Sequence, residues 1–583
     1  MGSIGAVISK DGESETRLRR ALARSPHRGT FVGTAPAGEI SIGALATPRS
    51  QAHVYRGSGW SVAVSGAIDA VAGIDAPVDP AEAIAQELDR AGPMALSEVR
   101  GDFTCVATDG RRLVAARDHL GTDGLFVGSN GSVGAVLSEP KQVVESLDRF
   151  RRPDFDGLVS VYFSQWEAAD DVPSVVEGVD RVPRAAIIEV GHGGWRRIGR
   201  VWDPAAVLET SRLTAAEAVE AGWWVIKKAV DKMTSDRTAI GLSGGIDSTL
   251  IAAAAAAGRD GPLGAVSALY PHAPSVDETA YIEATAKALD IDVTSYVPTR
   301  DHLDRLDMWV DLIDGPTHGL LIGSVAEMND VAAGAGYDTL LGGELAELVY
   351  DMREYALAGM VARGRLGAVA RHVRGLRARG ISASSIIRLV VAGLVPSWAG
   401  EAYTRRFRRA PDPATWLVRS FMTGLDRHWA MERRPGRRWA DIQLFFATGP
   451  SYAGLEIAAV MGDVAGVRTR RPLADRDVWE FFLSLPPETK FPDAHTKSLV
   501  RMILDGRAPR EVVWRTDKTV FNEDSLSRAE YPFLFERLSD GFRLPGVKYQ
   551  ELIRSLEHGS MTMWELSMAR NLASIHSFVA VSS

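Results

Sequence analysis

A strand-like run, Arg237–Ile240, gives way to Gly241-Leu242-Ser243-Gly244-Gly245-Ile246-Asp247-Ser248-Thr249, then to Leu250, Ile251 and the alanine run Ala252–Ala257. This succession of strand, glycine-rich turn and apolar helix is the arrangement that holds a pyrophosphate in an alternating β/α chain. Adjacent glycines lack Cβ, so backbone N–H groups can come close to phosphate oxygens. Ser243 and Ser248 add hydroxyl donors, the alanine-rich helix offers a positive N-terminal partial charge, and Gly258 ends it. No lysine follows the glycines, so the turn is not the GxxxxGK[ST] loop of phosphoryl-transferring NTPases. Asp247 stands among the phosphate-binding groups instead, and a divalent cation, read as magnesium, accommodates its charge there. The competing reading is an ordinary Gly-Gly turn before a core helix, with Asp247 as a partner of the helix dipole.

With 583 residues, 46% of them hydrophobic and 24% charged, the chain is expected to fold as two domains, residues 1–205 and 206–583. The first is rich in short alternating runs broken by Gly and Asp: Ile4–Ile8, Ser61–Val64, Phe103–Ala107, Leu113–Ala116 and Ala185–Val190. That pattern predicts a β-rich layered domain. Trp202-Asp203-Pro204 marks the boundary before a helix over Ala215–Lys232. Thereafter strands at Thr238–Leu242, Leu263–Ala268 and Asp292–Val297 alternate with helices, as a doubly wound parallel sheet requires. Between residues 363 and 409 comes a basic helical stretch with Arg371, Arg374, Arg377, Arg379 and the run Arg405–Arg409. It reads as a solvated helix face or as a docking surface for an acidic partner.

A formal net charge of −8 argues against a general nucleic-acid binder. The single cysteine, Cys105, excludes an internal disulfide framework and reads as a buried thiol. Met1–Ile8 is too short an apolar run for a signal peptide, and Leu389–Val395, bounded by Arg388 and Pro396, is too short to span a bilayer. The expected setting is the cytoplasm, with neither nucleic acid nor membrane as partner. His318 reads as structural, with a place in the lining of the pocket as the alternative, and no His/Asp/Glu spacing suggests zinc.

Several segments then carry a resemblance over nearly the whole chain. Ser25-Pro26-His27-Arg28-Gly29 resembles an HRG segment, Arg117-Asp118-His119-Leu120-Gly121 an RDxxG turn, and Ser138-Glu139-Pro140-Lys141 continues the match. Ser243–Ser248 resembles the SGGxDS loop of ATP pyrophosphatases, Leu341–Glu347 stands in place of LSGEGAD, and Arg471–Asp475 in place of RxPfLD. Lys518, in Arg515-Thr516-Asp517-Lys518, matches a late lysine. Together these resemble the asparagine synthetase superfamily. The resemblance implies an α/β and α+β protein of two domains: a glutaminase-like (Ntn-type) layered β-rich domain, then a doubly wound parallel sheet of the ATP-pyrophosphatase type with added helices. It implies ATP held by Leu242, Ser243, Gly244, Gly245, Asp247, Ser248, Ser267 and Gly343, with Ser267 facing the adenosine, and Mg2+ held by Asp247 and Glu347. Glu344 becomes the candidate to orient or deprotonate an attacking amine, and Lys518 the candidate to stabilise developing negative charge.

The departures narrow the reading. Glutaminases of this type use an N-terminal cysteine as nucleophile, and here position 2 is Gly2. Their NGE oxyanion segment is replaced by Ser65-Gly66-Ala67, so the first domain is expected to keep the fold without the glutaminase chemistry. Two branches of the superfamily resemble that state, β-lactam synthetases and lasso peptide cyclases. Glu344 stands where β-lactam synthetases carry tyrosine, and Asp412-Pro413-Ala414-Thr415-Trp416-Leu417 is similar to the PxxWL segment of lasso cyclases. The lasso resemblance implies AMP-forming adenylation of an Asp or Glu side chain, capture by the N-terminal amine of a leaderless core peptide, and two partners, a leader-binding protein and a leader peptidase. The alternatives are a β-lactam synthetase-like small-molecule cyclase, an ammonia-dependent asparagine synthetase, and a non-enzymatic scaffold that binds ATP and peptide.

Overall fold

The computed structural model of the chain describes residues 2–47, 51–158, 174–259, 261, 263–317, 322–351, 353–394, 416–417, 438–448, 453–516, 530–559 and 561–582. Lys518, His318, Arg405–Arg409 and Asp412–Thr415 lie outside them.

Alternation with period two organises the first half. In the strand Ser3–Ser9, Ile4, Ala6 and Ile8 face one core while Val7 faces another. That strand sits in an antiparallel sheet ordered Val179–Arg181, Phe126–Ser129, Val133–Leu137, Ser3–Ser9, Ile40–Ala46, Thr30–Ala37. A second antiparallel sheet runs Gly194–Arg200, Ala186–Gly191, Leu113–Arg117, Val99–Thr108, Ser61–Val71, Ala52–Tyr55. Ile4, Ile42 and Val136 of the first sheet meet Ala63, Val106 and Ile188 of the second. The helix Pro80–Ala91 covers the outer face of the second sheet through Ile84, Ala85 and Leu88. The result is a layered β-rich domain. Cys105 is fully buried between these layers, and burial pushes its thiol up to about 12, so it is an inert core group.

The second half is built on a parallel sheet ordered Ile291–Tyr296, Leu263–Ala268, Thr238–Gly241, Thr339–Leu341, Arg468–Arg470. Both faces are covered. Ile240, Ala265 and Leu341 pack on the helices Ala215–Met233 and Ile246–Ala256, whereas Ala239, Val266 and Leu340 pack on the helix Ile322–Gly334. Thr214 starts the Ala215–Met233 helix with a capping box, its side chain accepting from Glu217 N and its own N–H donating to the Glu217 carboxylate. Chain order reverses between Thr238–Gly241 and Thr339–Leu341, and a crevice beyond the carboxyl ends of strands at such a switch point is where ligands bind in open α/β sheets. Among the described residues no helix is long and apolar enough to cross a membrane.

Charged groups stitch the halves together. Arg28, fully buried, donates to Glu139 (2.7 Å), Asp123 (3.2 Å) and, across the interface, Asp463 (3.3 Å). Arg470 of the second half reaches Asp69 (3.0 Å) and Asp102 (2.8 Å), and Arg117 of the first reaches Glu456 (2.7 Å). His119 is buried edge-on to Trp202 and Trp479, and its Nε2–H donates to the Ala474 carbonyl (2.9 Å). Burial pushes this ring down to about 4, more than the Ala474 bond offsets. The neutral ring therefore contributes stability in full above the unfolded value of 6.5, and that contribution is lost as pH falls from 6.5 towards 4. The stability difference between wild type and His119→Gln is expected to shrink by about 3 kcal/mol over that window. Denaturant titrations at several pH values check this, and a difference that does not vary with pH contradicts it.

The arginines at 371, 374, 377 and 379 are exposed on and just after the helix Leu366–Ala378. Trp416, the described part of the PxxWL-like segment together with Leu417, is fully buried in the core that holds the C-terminal helices, and its carbonyl accepts from Lys548 N (2.6 Å).

Candidate active site

The glycine turn leaves the strand Thr238–Gly241 at the switch point. Leu242 N donates to Val266 O (3.1 Å), and Ser267 Oγ donates back to Leu242 O (2.7 Å), so the turn is pinned to the neighbouring strand. Ser267 is buried with its hydroxyl committed to that bond, which makes it a support of the turn. Within the turn, Ser243 N donates to Ser248 Oγ (3.2 Å), the two hydroxyls lie 3.1 Å apart, and Ser248 Oγ donates to Gly245 O (3.1 Å). Gly244 adopts φ +70° and Gly245 caps the helix Ile246–Ala256, which places Asp247 in its first turn. Gly343, from the loop after Thr339–Leu341, lies so close to this turn that a Cβ there would sit 3.0 Å from Asp247 Cβ.

Asp247 is the centre of the cluster. Tyr350 Oη–H donates to its Oδ1, and Lys497 Nζ donates to its Oδ2 (2.6 Å). The same ammonium lies 3.9 Å from Glu347 Oε2. Burial works to lower the Lys497 ammonium, but the Asp247 carboxylate outweighs it and holds the group above the ordinary lysine range. Burial and the neighbouring Asp247 charge both raise Tyr350 well above the usual phenol range, so it remains a neutral donor. Lys497 itself has φ +53°, just ahead of the helix Ser498–Leu504, and its N–H donates to Asp351 Oδ1 (3.2 Å). A left-handed lysine costs roughly 1–2 kcal/mol, and the contacts to Asp351 and Asp247 hold it there.

Arg515 closes the other side of the turn. Its Nη1 donates to Gly244 O (3.2 Å) and Glu278 Oε1 (2.6 Å), and its guanidinium lies 4.0 Å from the Tyr281 ring centroid. Glu344 is half-exposed at the rim, with Oε2 3.7 Å from Arg471 Nε, while Glu347 opens the short helix Glu347–Tyr350 and is likewise half-exposed.

Of the residues the sequence singled out, the structure brings Asp247 and Glu347 to one ammonium and sets Gly343 against Asp247 beside the glycine turn. Lys497 and Tyr350 were missed. Tyr350 follows Glu347 at helical spacing, which was an available signal; Lys497, 250 residues from Asp247 in the chain, carried none.

Asp247 and Glu347, the two carboxylates that face this ammonium, are the residues here that could hold a metal cation. Among the described residues no group of three or more His, Cys, Asp or Glu converges to hold a metal. That donor set fits magnesium, which is held by one or two carboxylates and completed by phosphate oxygens and water.

A family model described as asparagine synthase matches residues 225–572. A comparison with curated proteins finds no match. Among solved structures, the allosteric regulatory enzyme of purine biosynthesis is 12% identical, over 51% of this chain and 65% of that one, at a TM-score of 0.25. A glutamine phosphoribosylpyrophosphate amidotransferase from B. subtilis, complexed with ADP and GMP, is 11% identical, over 58% of this chain and 80% of that one, at 0.24. The chain therefore spans just under two thirds of the first of these, and neither likeness carries a functional argument.

Proposed function

The chain belongs to the asparagine synthase family, and from that premise we propose that it is an ATP-dependent, AMP-forming amide ligase that closes a macrolactam in a lasso peptide precursor. The observation that carries the ligase reading is the Asp247–Lys497–Glu347 cluster beside the glycine turn at the switch point. In the first step an Asp or Glu side-chain oxygen of the leaderless core peptide attacks the α-phosphorus of ATP, forming a C–O–P link as pyrophosphate leaves. In the second the peptide's N-terminal nitrogen attacks the acyl carbon and AMP departs.

The turn's N–H groups and the Ser243 and Ser248 hydroxyls bind the leaving pyrophosphate. Lys497, kept cationic by its surroundings, supplies positive charge there, and Arg515 holds the turn in shape through Gly244. Asp247 and Glu347 would hold magnesium, which when bound would help neutralise the triphosphate. Glu344, half-exposed at the rim, receives the proton of the attacking amine. Lys518 stabilises charge at the tetrahedral carbon. Threading requires the amine and acyl carbon to be held together before closure, which is a demand on effective molarity.

A peptide-borne amine suits the first domain, because a Cβ on Gly2 would fall 2.2 Å from Leu45 O and a nucleophilic side chain has no room there. A leader-binding protein and a leader peptidase complete the proposal, the second to expose the amine. The test is incubation with ATP, magnesium and the leaderless precursor peptide. The expected product is one water lighter than the substrate. Turnover only with aspartate and ammonia, or only with a small β-amino acid, would overturn the macrolactam reading.

A further inference from the structure

Lys490 ends the short helix Pro487–Lys490 with its side chain inside the protein, at 1% exposure. Its Nζ donates to Gln443 Oε1 (2.6 Å) and to Val349 O (2.9 Å), and lies 5.1 Å from the Trp439 ring centroid. Gln443 and Trp439, both on the helix Trp439–Thr448, are buried as well. Among the described residues no carboxylate comes within ion-pairing distance of Lys490, and Glu209 acts on it only from further away. Burial accordingly pushes the amine well below the ordinary lysine range. An amine in such a place is a costly way to fill space, since a methionine of similar length would pack there without desolvating a polar group.

What the lysine gains for the fold is a grip on one carbonyl. Val349 lies between Glu347 and Tyr350 in a helix of four residues, so its carbonyl, like others in a last turn, needs a partner from outside the helix. Tyr350 holds Asp247, Glu347 faces the same ammonium, and Asp351, the next residue, accepts from Lys497 N. This turn and the residue after it thus supply one group to Asp247 and two to its partner Lys497, and Lys490 ties the turn to the buried Gln443 of the Trp439–Thr448 helix.

We propose that Lys490 is a positioning residue: through the Val349 carbonyl it sets the Glu347–Tyr350 turn against Asp247 and so fixes the site that receives magnesium and the nucleotide phosphates. The proposal rests on the nucleotide reading above. It separates affinity from stability. Lys490→Met leaves Gln443 without its partner and is expected to lose both stability and affinity. In Lys490→Met with Gln443→Leu the glutamine no longer lacks a partner, so melting recovers part of what the single variant loses, while the buried Val349 carbonyl stays without its donor in both.

The probe is calorimetric binding of magnesium with the non-hydrolysable α,β-methylene analogue of ATP to the full chain, after a thermal melt of each variant. The double variant is expected to bind about tenfold more weakly than wild type. Wild-type affinity in the double variant overturns the positioning role. A double variant that does not fold also overturns it, because it shows Lys490 to be needed for the core itself. Absence of binding by the wild type condemns the nucleotide reading instead.

Discussion

Replacing Asp247 with Asn is expected to slow pyrophosphate release by a factor on the order of a hundred to a thousand, far beyond what the accompanying loss of thermal stability from unpairing Lys497 explains. The amide oxygen can still accept from Tyr350, so the packing of that ring survives. The other side of the change is severe. The group facing Lys497 becomes an NH2 donor in place of a carboxylate oxygen 2.6 Å away, so two donors now oppose each other. Lys497 loses the charge that outweighs its burial, and its ammonium is less favoured where the phosphates need it. The proposed magnesium site would lose one of its two carboxylates, leaving Glu347, half-exposed on a four-residue helix. Single-turnover release of pyrophosphate, measured beside a thermal melt, checks this. A wild-type rate contradicts the role given to Asp247, and an equal collapse in stability would reassign it to the fold.

Arg28→Met is expected to cost about 3–5 kcal/mol of stability, the range for removing one partner of a buried ion pair. Glu139 is fully buried, and its carboxyl is held well below the usual range, against burial, chiefly by Lys141 and Arg28. Asp123 is buried completely and Asp463 belongs to the other half, so the substitution leaves acid groups facing each other across the interface. Lys141 (3.2 Å) and His27 (2.8 Å) still serve Glu139, whereas among the described residues Asp123 keeps no ion pair and only the longer-range charge of Arg468. Denaturant unfolding followed by tryptophan emission measures the loss. A change below about 1 kcal/mol would mean the cluster behaves as a surface pair does. The consequence for function is indirect: the first half braces the strand Arg468–Arg470 through Arg470, next to Arg471 at the rim of the site.

What could be read before folding was what depends on neighbours in the chain. The strand Thr238–Gly241, the turn and the helix Ile246–Ala256 are contiguous, and glycine pairs, serines and alanines each dictate a local conformation. The antiparallel runs were legible for the same reason, since Ile4, Ala6 and Ile8 announce one buried face without reference to their partners. Ser267 shows the limit. Its place at the end of a strand suggested contact with the adenosine, but whether its hydroxyl serves a ligand or the Leu242 carbonyl depends on the register of the next strand. Lys497, Tyr350 and Lys490 act on residues 250, 103 and 141 positions away; Tyr350 at least follows Glu347 at helical spacing, whereas nothing in the neighbourhoods of the two lysines distinguishes them from surface lysines. Charge alone could not have revealed Arg28, whose interdomain partner Asp463 lies 435 residues on.

The central claim is that a peptide carboxylate is joined to the α-phosphorus of ATP before an amine displaces it. Its most direct measurement uses a leaderless peptide whose side-chain carboxylate carries 18O, incubated with ATP, magnesium and the full chain, followed by mass spectrometry of the nucleotide. The account predicts AMP that carries one 18O atom for each ring closed. Unlabelled AMP beside cyclised peptide, or ADP and phosphate as the nucleotide products, would contradict it.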